Sequence, residues 1–339
     1  MAYITLNKKH FFNNLDIIAQ RSKGKDKIAL VLKDNAYGHG LKEIATMARE
    51  YGITKAVVRF EKEAEDIVEF FDYILVLADK PSIKNDKIRY TINDCSSIKN
   101  FISGSKVELK IDTGMGRNGI LPKELPEAFF LIKEQGLQLE SIFTHHSSAD
   151  EDPDIFAQQE NRFYLLRQEA VLLAKKFGFT PLRFHSCNSA ALFVTENFIE
   201  DMARVGIAAY GCLELPQASL ADQLKPVLSL YAKRNSTRLV EKGESVGYGA
   251  TFKAEDSVIV SNYDFGYGDG FFRICSNNYT TPTGAKLLGR ISMDNSSFTS
   301  SEESLLIFDD ARKMAASART ISYEVLTALK PYLERIIVN

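Results

Sequence analysis

From residue 27 to about residue 215, short runs of aliphatic and β-branched residues alternate with longer stretches whose apolar positions recur every three or four residues. The runs KIALVLK (27–33), KAVVRF (55–60), YILVL (73–77), IRYTI (88–92), VELKI (107–111), SIFTH (141–145), LRFHS (182–186) and ARVGIAA (203–209) read as strands. Between them GLKEIATMAREYG, SIKNFIS, ELPEAFFLIKEQ and DIFAQQENRFYLLRQEAVLLAKKFG carry helical spacing. Strand and helix alternating eight times predict a (β/α)8 TIM-like barrel, assigned to residues 1–220.

After residue 215 the pattern changes to short apolar runs broken by Gly, Asn, Asp and Ser: VLSLYAKRN, TRLVEKGESVGYG, SVIVSNYDFGYGDG, AKLLGRISMD and SLLIFDD. Helical periodicity is weak there, which predicts a mostly β C-terminal domain over residues 221–339. A chain of 339 residues exceeds the usual size of one core, and no repeat or long linker divides it, so the two domains are expected to pack together.

Bulk properties narrow the partners. Lys plus Arg number 42 against 44 Asp plus Glu, a net charge of −2, which gives no electrostatic reason to expect nucleic acid. The start, MAYITLNKKHFFNNL, lacks the apolar core of a signal peptide, and no run approaches the roughly 18 apolar residues that span a bilayer. No membrane association and a cytoplasmic location are expected. The four cysteines, Cys95, Cys187, Cys212 and Cys275, are widely spaced without a CxxC pair, so neither a disulfide framework nor a metal site is expected.

In a barrel the active site forms at the C-terminal ends of the strands, so polar residues that end apolar strands are the candidates. They are Lys33, Lys110 with Asp112, His145 with His146, His185 and Arg204. A strand-end lysine can simply lean to the rim for solvent; partly desolvated, it becomes a Schiff-base nucleophile. Tyr37 adds a phenolic donor four residues on, and Gly38 and Gly40 allow backbone to approach an anion. In ARVGIAAYG, Gly206 and Ile207 fall near the end of strand eight, where barrels place a phosphate-binding turn. Lysine plus phosphate cradle suggests pyridoxal 5′-phosphate.

VLKDNAYGHG resembles the pyridoxal-lysine motif of bacterial alanine racemases, and the likeness continues in order through KIDTGMGRNGI, FTHHSSADED, HSCNSAA, ARVGIAAYGC, SVGYGATF, FGYGDGFFR, GRISMDN and ISYEV, covering nearly the whole chain. The resemblance implies that Lys33 carries pyridoxal phosphate as an aldimine and is the base for the D-enantiomer, with Tyr248 the opposite base for the L-enantiomer. Two bases on opposite faces move the α-proton without turning the substrate. An ordinary phenol has a pKa of about 10, so a tyrosine in that role needs help; His145 resembles the histidine beside it. Arg204 resembles the arginine facing the pyridine nitrogen and His185 the histidine supporting it. Arginine keeps its proton, which weakens the cofactor as an electron sink and favours reprotonation over transamination.

Phosphate contacts are implied at Tyr37, Ser189, Gly206, Ile207 and Tyr323; on their own, Ser189 reads as a helix cap and Tyr323 as core packing. Arg117 resembles the arginine meeting the substrate carboxylate, and Lys110 a position that can carry a carbamate holding that arginine in place. Met293 and Asp294 resemble the residues closing the substrate pocket, and Tyr267 one narrowing its entrance. In the family the β-domain residues reach the barrel mouth of the other subunit, which implies a homodimer with shared active sites. The implied reaction interconverts L-alanine and D-alanine, supplying D-alanine for bacterial peptidoglycan.

Asp34 stands where the family usually has alanine, Gly268 and Phe271 vary the entrance motif, and the chain ends ERIIVN rather than in an Arg-Val-Pro-Arg-like run. Three rivals remain: a broad-specificity amino-acid racemase, a decarboxylase on the same plan, and a non-catalytic pyridoxal-phosphate carrier. The carrier resembles the barrel alone, so the domain bearing Tyr248 and Met293 separates it from this chain.

Overall fold

The computed structural model describes residues 1–216 and 220–339. Its first strand, β1 (Tyr3–Asn7), precedes any strand expected from the pattern, and it is followed by a helix, Lys8–Ser22, that the pattern also did not predict. All eight predicted barrel strands form: β2 (Ile28–Val31), β3 (Lys55–Val58), β4 (Tyr73–Val76), β5 (Ile88–Ile92), β6 (Lys106–Lys110), β7 (Gln138–Phe143), β8 (Arg183–His185) and β9 (Ala203–Val205). They make one parallel sheet in the order β8-β7-β6-β5-β4-β3-β2-β9. In β2 and β4 every residue is buried, because barrel interior and outer helices cover both faces.

Among the described residues no ladder joins β8 to β9, so the barrel is nearly closed. Across that seam the Arg204 N–H donates to the Cys187 carbonyl at 2.9 Å. Helix boundaries follow local chemistry. The long helix Pro153–Phe177 starts where the Asp152 carboxylate accepts the Asp154 and Ile155 N–H groups, has proline at its first position, and stops at Gly178 with φ 78°.

The second sheet contains β10 (Leu228–Val240), β13 (Val258–Tyr263), β14 (Ser296–Phe298), β15 (Ser304–Phe308) and β16 (Glu334–Val338), with the short hairpin β11 (Ser245–Val246) and β12 (Phe252–Lys253) apart from it. β1 lies in this sheet, antiparallel to β10 and parallel to β16, so the chain's first strand is stitched to its last. Two short helices, Ala311–Ala318 and Ser322–Ala328, also form here, where the pattern predicts none. The first is capped by the Asp310 carboxylate on the Arg312 N–H, a local signal rather than a periodic one. One apolar core runs from Ala2 through the barrel to Leu333, so both domains share it. A separate small cluster, Val240, Val246, Ala254, Val260 and Leu288, lies under the β11–β12 hairpin.

Candidate active site

Lys33 follows β2 by one residue and opens an unusual turn. Asp34, Asn35, Ala36 and Tyr37 all have left-handed backbone, φ 54°, 56°, 52° and 52°, before Gly38 at φ 76°. Left-handed L-residues cost about 1–2 kcal/mol each, and the surroundings offset this with hydrogen bonds. The Ala36 N–H donates to the Leu32 carbonyl (2.8 Å) and the Gly40 N–H to that of Asn35 (3.0 Å). The Asn35 side chain accepts the Leu41 N–H (2.9 Å), and the Glu63 carboxylate accepts the Asp34 N–H (2.7 Å). From β16, Arg335 donates to the Gly38 carbonyl at 2.9 Å. Gly38 admits no side chain, since a Cβ there would lie 2.0 Å from the Leu326 carbonyl oxygen.

The turn delivers Tyr37 to a second glycine. A Cβ on Gly206 would lie 2.7 Å from the Tyr37 hydroxyl, and Tyr323, from the second domain, packs its ring 5.8 Å from that of Tyr37. Ser189 is not the helix cap that the sequence allowed: Asn188 accepts the Ala191 N–H, while Ser189 Oγ accepts the Gly206 N–H (3.1 Å) and the Ala208 N–H (3.4 Å). Neither is Tyr323 core packing; it is partly exposed. Among the described residues the Tyr37 and Tyr323 hydroxyls and the Ile207 N–H have no hydrogen bond, so donors gather here without an acceptor.

The cationic residues of the mouth act on one another. Burial lowers the Lys33 pKa, Arg117 and Arg59 lower it further, and Asp34 opposes them. Lys110 is buried and pushed down to about 8, by desolvation first and then by Arg117 and Arg204. Desolvation, then Arg204, Lys110 and Arg117, hold His145 well below the usual histidine value, so it is neutral near pH 7. Arg204 is buried at the barrel seam. Its Nη2 donates to the carbonyls of Thr144 (2.7 Å) and Ser186 (2.9 Å) and lies 3.3 Å from His145 Nδ1; its Nη1 meets His185 Nδ1 at 2.5 Å. Only its Nε lacks a hydrogen bond among the described residues.

Two strand-end candidates turn elsewhere. Asp112 accepts the Gly114, Met115 and Gly116 N–H groups, each at 2.8 Å, and shapes the loop that carries the exposed Arg117. His146 Nε2 lies 2.8 Å from Glu160.

Tyr248, Tyr267, Met293 and Asp294 form a second group, on loops of the β domain. A Cβ on Gly247 or Gly249, which flank Tyr248, would crowd Arg290 at 3.2 or 2.9 Å; the Tyr267 N–H donates to the Ser292 carbonyl (3.0 Å) and the Gly268 N–H to that of Met293 (2.6 Å). Tyr248 is 68% exposed, Met293 62% and Tyr267 43%. Among the described residues no hydrogen bond, ion pair or ring contact joins this group to Lys33, Arg204 or Tyr37. His145 lies beside Arg204, and among the described residues no hydrogen bond or ring contact joins it to Tyr248 of its own chain.

Two features are not visible in the sequence pattern. Asp34 lies beyond the strand, so strand alternation does not govern it; it pairs with Arg59 at 3.3 Å. Glu108 is fully buried and bonded to His185 at 2.8 Å. The available signal was its place two residues before Lys110, on the same face of β6.

The chain matches the sequence profile of the alanine racemase N-terminal domain over residues 6–214 and that of the C-terminal domain over residues 227–337. It is 42% identical over 335 residues to alanine racemase from a Nitratiruptor species, covering 99% of both chains. The crystal structure of alanine racemase from Bacillus anthracis with bound L-Ala-P is 27% identical, with a TM-score of 0.87 over 100% of this chain and 95% of that one. A histidine racemase from Leuconostoc mesenteroides shares the fold, TM-score 0.85 at 23% identity over 100% of this chain and 98% of that one. Barrel, sheet and full-length similarity define an isomerase, an amino-acid racemase. The chain belongs to the alanine racemase family.

Proposed function

We propose that this protein interconverts L-alanine and D-alanine with pyridoxal 5′-phosphate held at the barrel mouth. The observation that carries the reading is the set of unpartnered donors around Gly206: Tyr37, Tyr323 and the Ile207 N–H, with the Ser189 hydroxyl hydrogen beside them. A Cβ on Gly206 would fill that space, and donors with no carboxylate hydrogen-bonded to them suit a phosphate dianion. The half-buried Lys33 amine and the free Nε of Arg204 complete the fit, one to hold the cofactor covalently and one to face its ring nitrogen. When bound, the cofactor supplies an electron sink for the carbanion left by α-proton loss.

Lys33, with its lowered pKa, takes or returns the α-proton on one face. Tyr248 does so on the other, but it comes from a second copy: its exposure, and the lack of any contact with the Lys33 group among the described residues, support a homodimer with shared sites. Arg117 meets the substrate carboxylate, joined by the Met293 backbone N–H, while Asp294 and Tyr267 narrow the pocket. Lys110, partly neutral near its pKa of about 8, takes up carbon dioxide as a carbamate and then attracts Arg117 instead of repelling it. The product D-alanine would serve cell-wall peptidoglycan from the cytoplasm; no helix among the described residues is long and apolar enough to cross a membrane.

A broad-specificity racemase is the second reading, because this fold also carries a histidine racemase and fold alone does not choose a side chain. Turnover of D-alanine, D-serine and D-lysine decides between them. Alanine should be racemised at least about tenfold more efficiently than the others; comparable efficiencies would establish broad specificity. No racemisation by protein loaded with pyridoxal phosphate would return the carrier reading.

A further inference from the structure

Arg204 is a buried cation with no carboxylate in direct contact. Its guanidinium is met by the carbonyls of Thr144, Ser186 and His185 and by the Nδ1 atoms of His185 and His145. A buried charge needs both its hydrogen bonds and a counter-charge; of the carboxylates Glu200 acts on Arg204 most strongly without touching it, and a second, Glu108, is reached through His185.

Arginine nitrogens only donate, so a His185 Nδ1 placed 2.5 Å from Arg204 Nη1 must present a lone pair. The ring proton then belongs on Nε2, which needs an acceptor. Glu108 Oε2 lies 2.8 Å away. The other carboxylate oxygen, Oε1, accepts from Tyr73 (2.5 Å) and Arg183 (3.3 Å), which hold it ionised and in place. Phe143 stacks on the His185 ring at 4.8 Å and 11° and so resists rotation of the imidazole. The residues facing the Glu108–His185 pair are Tyr73 from β4, Arg183 from β8 and Arg204 from β9, with Glu200 also near the ring. Burial lowers the His185 pKa despite the carboxylate, and Glu108 stays below the usual carboxylate range through His185, Arg183 and Tyr73, although burial works to raise it.

We propose that Glu108 is a positioning residue of this site: it fixes His185 as the Nε2–H tautomer, keeps Nδ1 an acceptor, and so holds Arg204 with only its Nε turned free. This deepens the reading of Arg204 as the group facing the cofactor nitrogen and rests on it. Protonation of His185 would set an Nδ1–H against an Arg204 N–H and loosen the guanidinium. A neutral, single tautomer is therefore part of the site's design.

The test uses the cofactor-loaded enzyme with ¹⁵N-labelled histidine. Long-range ¹H–¹⁵N spectra should show His185 neutral and protonated on Nε2 from about pH 7 to about pH 9. Wild-type His185 found as the imidazolium, or protonated on Nδ1, overturns the proposal with no variant needed. Glu108→Leu, which removes the acceptor, should mix the tautomers and lower kcat about tenfold at nearly unchanged KM for alanine. Glu108→Gln offers a carbonyl to Nε2–H and should restore the single tautomer and bring kcat within about threefold of wild type. An unchanged ring spectrum in Glu108→Leu, or no rescue by Glu108→Gln, overturns it. The ring spectra report Glu108 and His185 alone, whereas visible absorbance reports the cofactor, so the two readings fail separately.

Discussion

The barrel mouth and the β-domain loops, complementary halves of one site in the proposed dimer, are built differently. At the mouth, side chains are tied down. Arg204 meets five protein acceptors, and hydrogen bonds close the left-handed turn after Lys33 from several sides. On the β-domain loops the backbone is fixed, by Gly268 on Met293 and Tyr267 on Ser292, while the Tyr248 and Met293 side chains stand in the open. Backbone held firm beneath uncovered large side chains is what one half of a preformed interface offers. Even Tyr323, from the second domain, sides with the mouth, because its helix packs on the lysine turn of the same chain.

The contrast can be broken from either side. Lys33→Ala should have the largest effect: the visible absorbance of the lysine-bound cofactor disappears and racemisation falls by more than about a thousandfold. An unchanged spectrum would place the cofactor on another lysine. Tyr248→Phe should leave the absorbance intact, because nothing in the cradle depends on it, yet lower racemisation by about a hundredfold or more. Exchange of the α-proton of D-alanine should persist. A Tyr248→Phe enzyme racemising at the normal rate would remove the second base from the account.

Lys110 sharpens the comparison at intermediate size. Burial, Arg117 and Arg204 disfavour its ammonium, so the neutral amine gains as pH rises through about 8. A carbamate forms only from that neutral amine. With ¹³C-bicarbonate, a protein-bound carbamate signal should grow from about pH 7 to about pH 9 and be absent in Lys110→Gln, whose KM for alanine should rise roughly tenfold. A full carbamate signal in Lys110→Gln would place it elsewhere.

The smallest effect is expected at Asp34. It raises the Lys33 pKa while Arg59 lowers it, and the two form a half-exposed ion pair of the kind worth about 0–1 kcal/mol. Asp34→Ala should move the acid limb of the pH–rate profile down and Arg59→Ala should move it up, each changing kcat/KM by less than about threefold. The double variant should lie near wild type. Shifts of the same sign in both single variants would contradict the offset.

The barrel was legible because its strands are apolar runs of the right length, several of them ending at or just before lysine, histidine or glycine. β1 and the first helix were missed because YITLN is short and its partners, β10 and β16, lie more than two hundred residues away. Lys33 was legible as a cation ending a buried strand, and Arg204 as one set within the short run ARV. What they require was not: Glu108 takes its meaning from His185, 77 residues on, and Asp34 meets Arg59 from within a left-handed turn. Such pairings belong to three-dimensional neighbours, and strand periodicity carries no record of them.

In the proposed dimer each active site takes Lys33 from one copy and Tyr248 from another. Mixing inactive Lys33→Ala with inactive Tyr248→Phe, under conditions that let dimers exchange, tests it directly. In a mixed dimer one site has both bases and the other has neither, so equal parts should recover about one quarter of wild-type activity. No recovery, with mixed dimers shown to form, would contradict the account and place both bases within one chain.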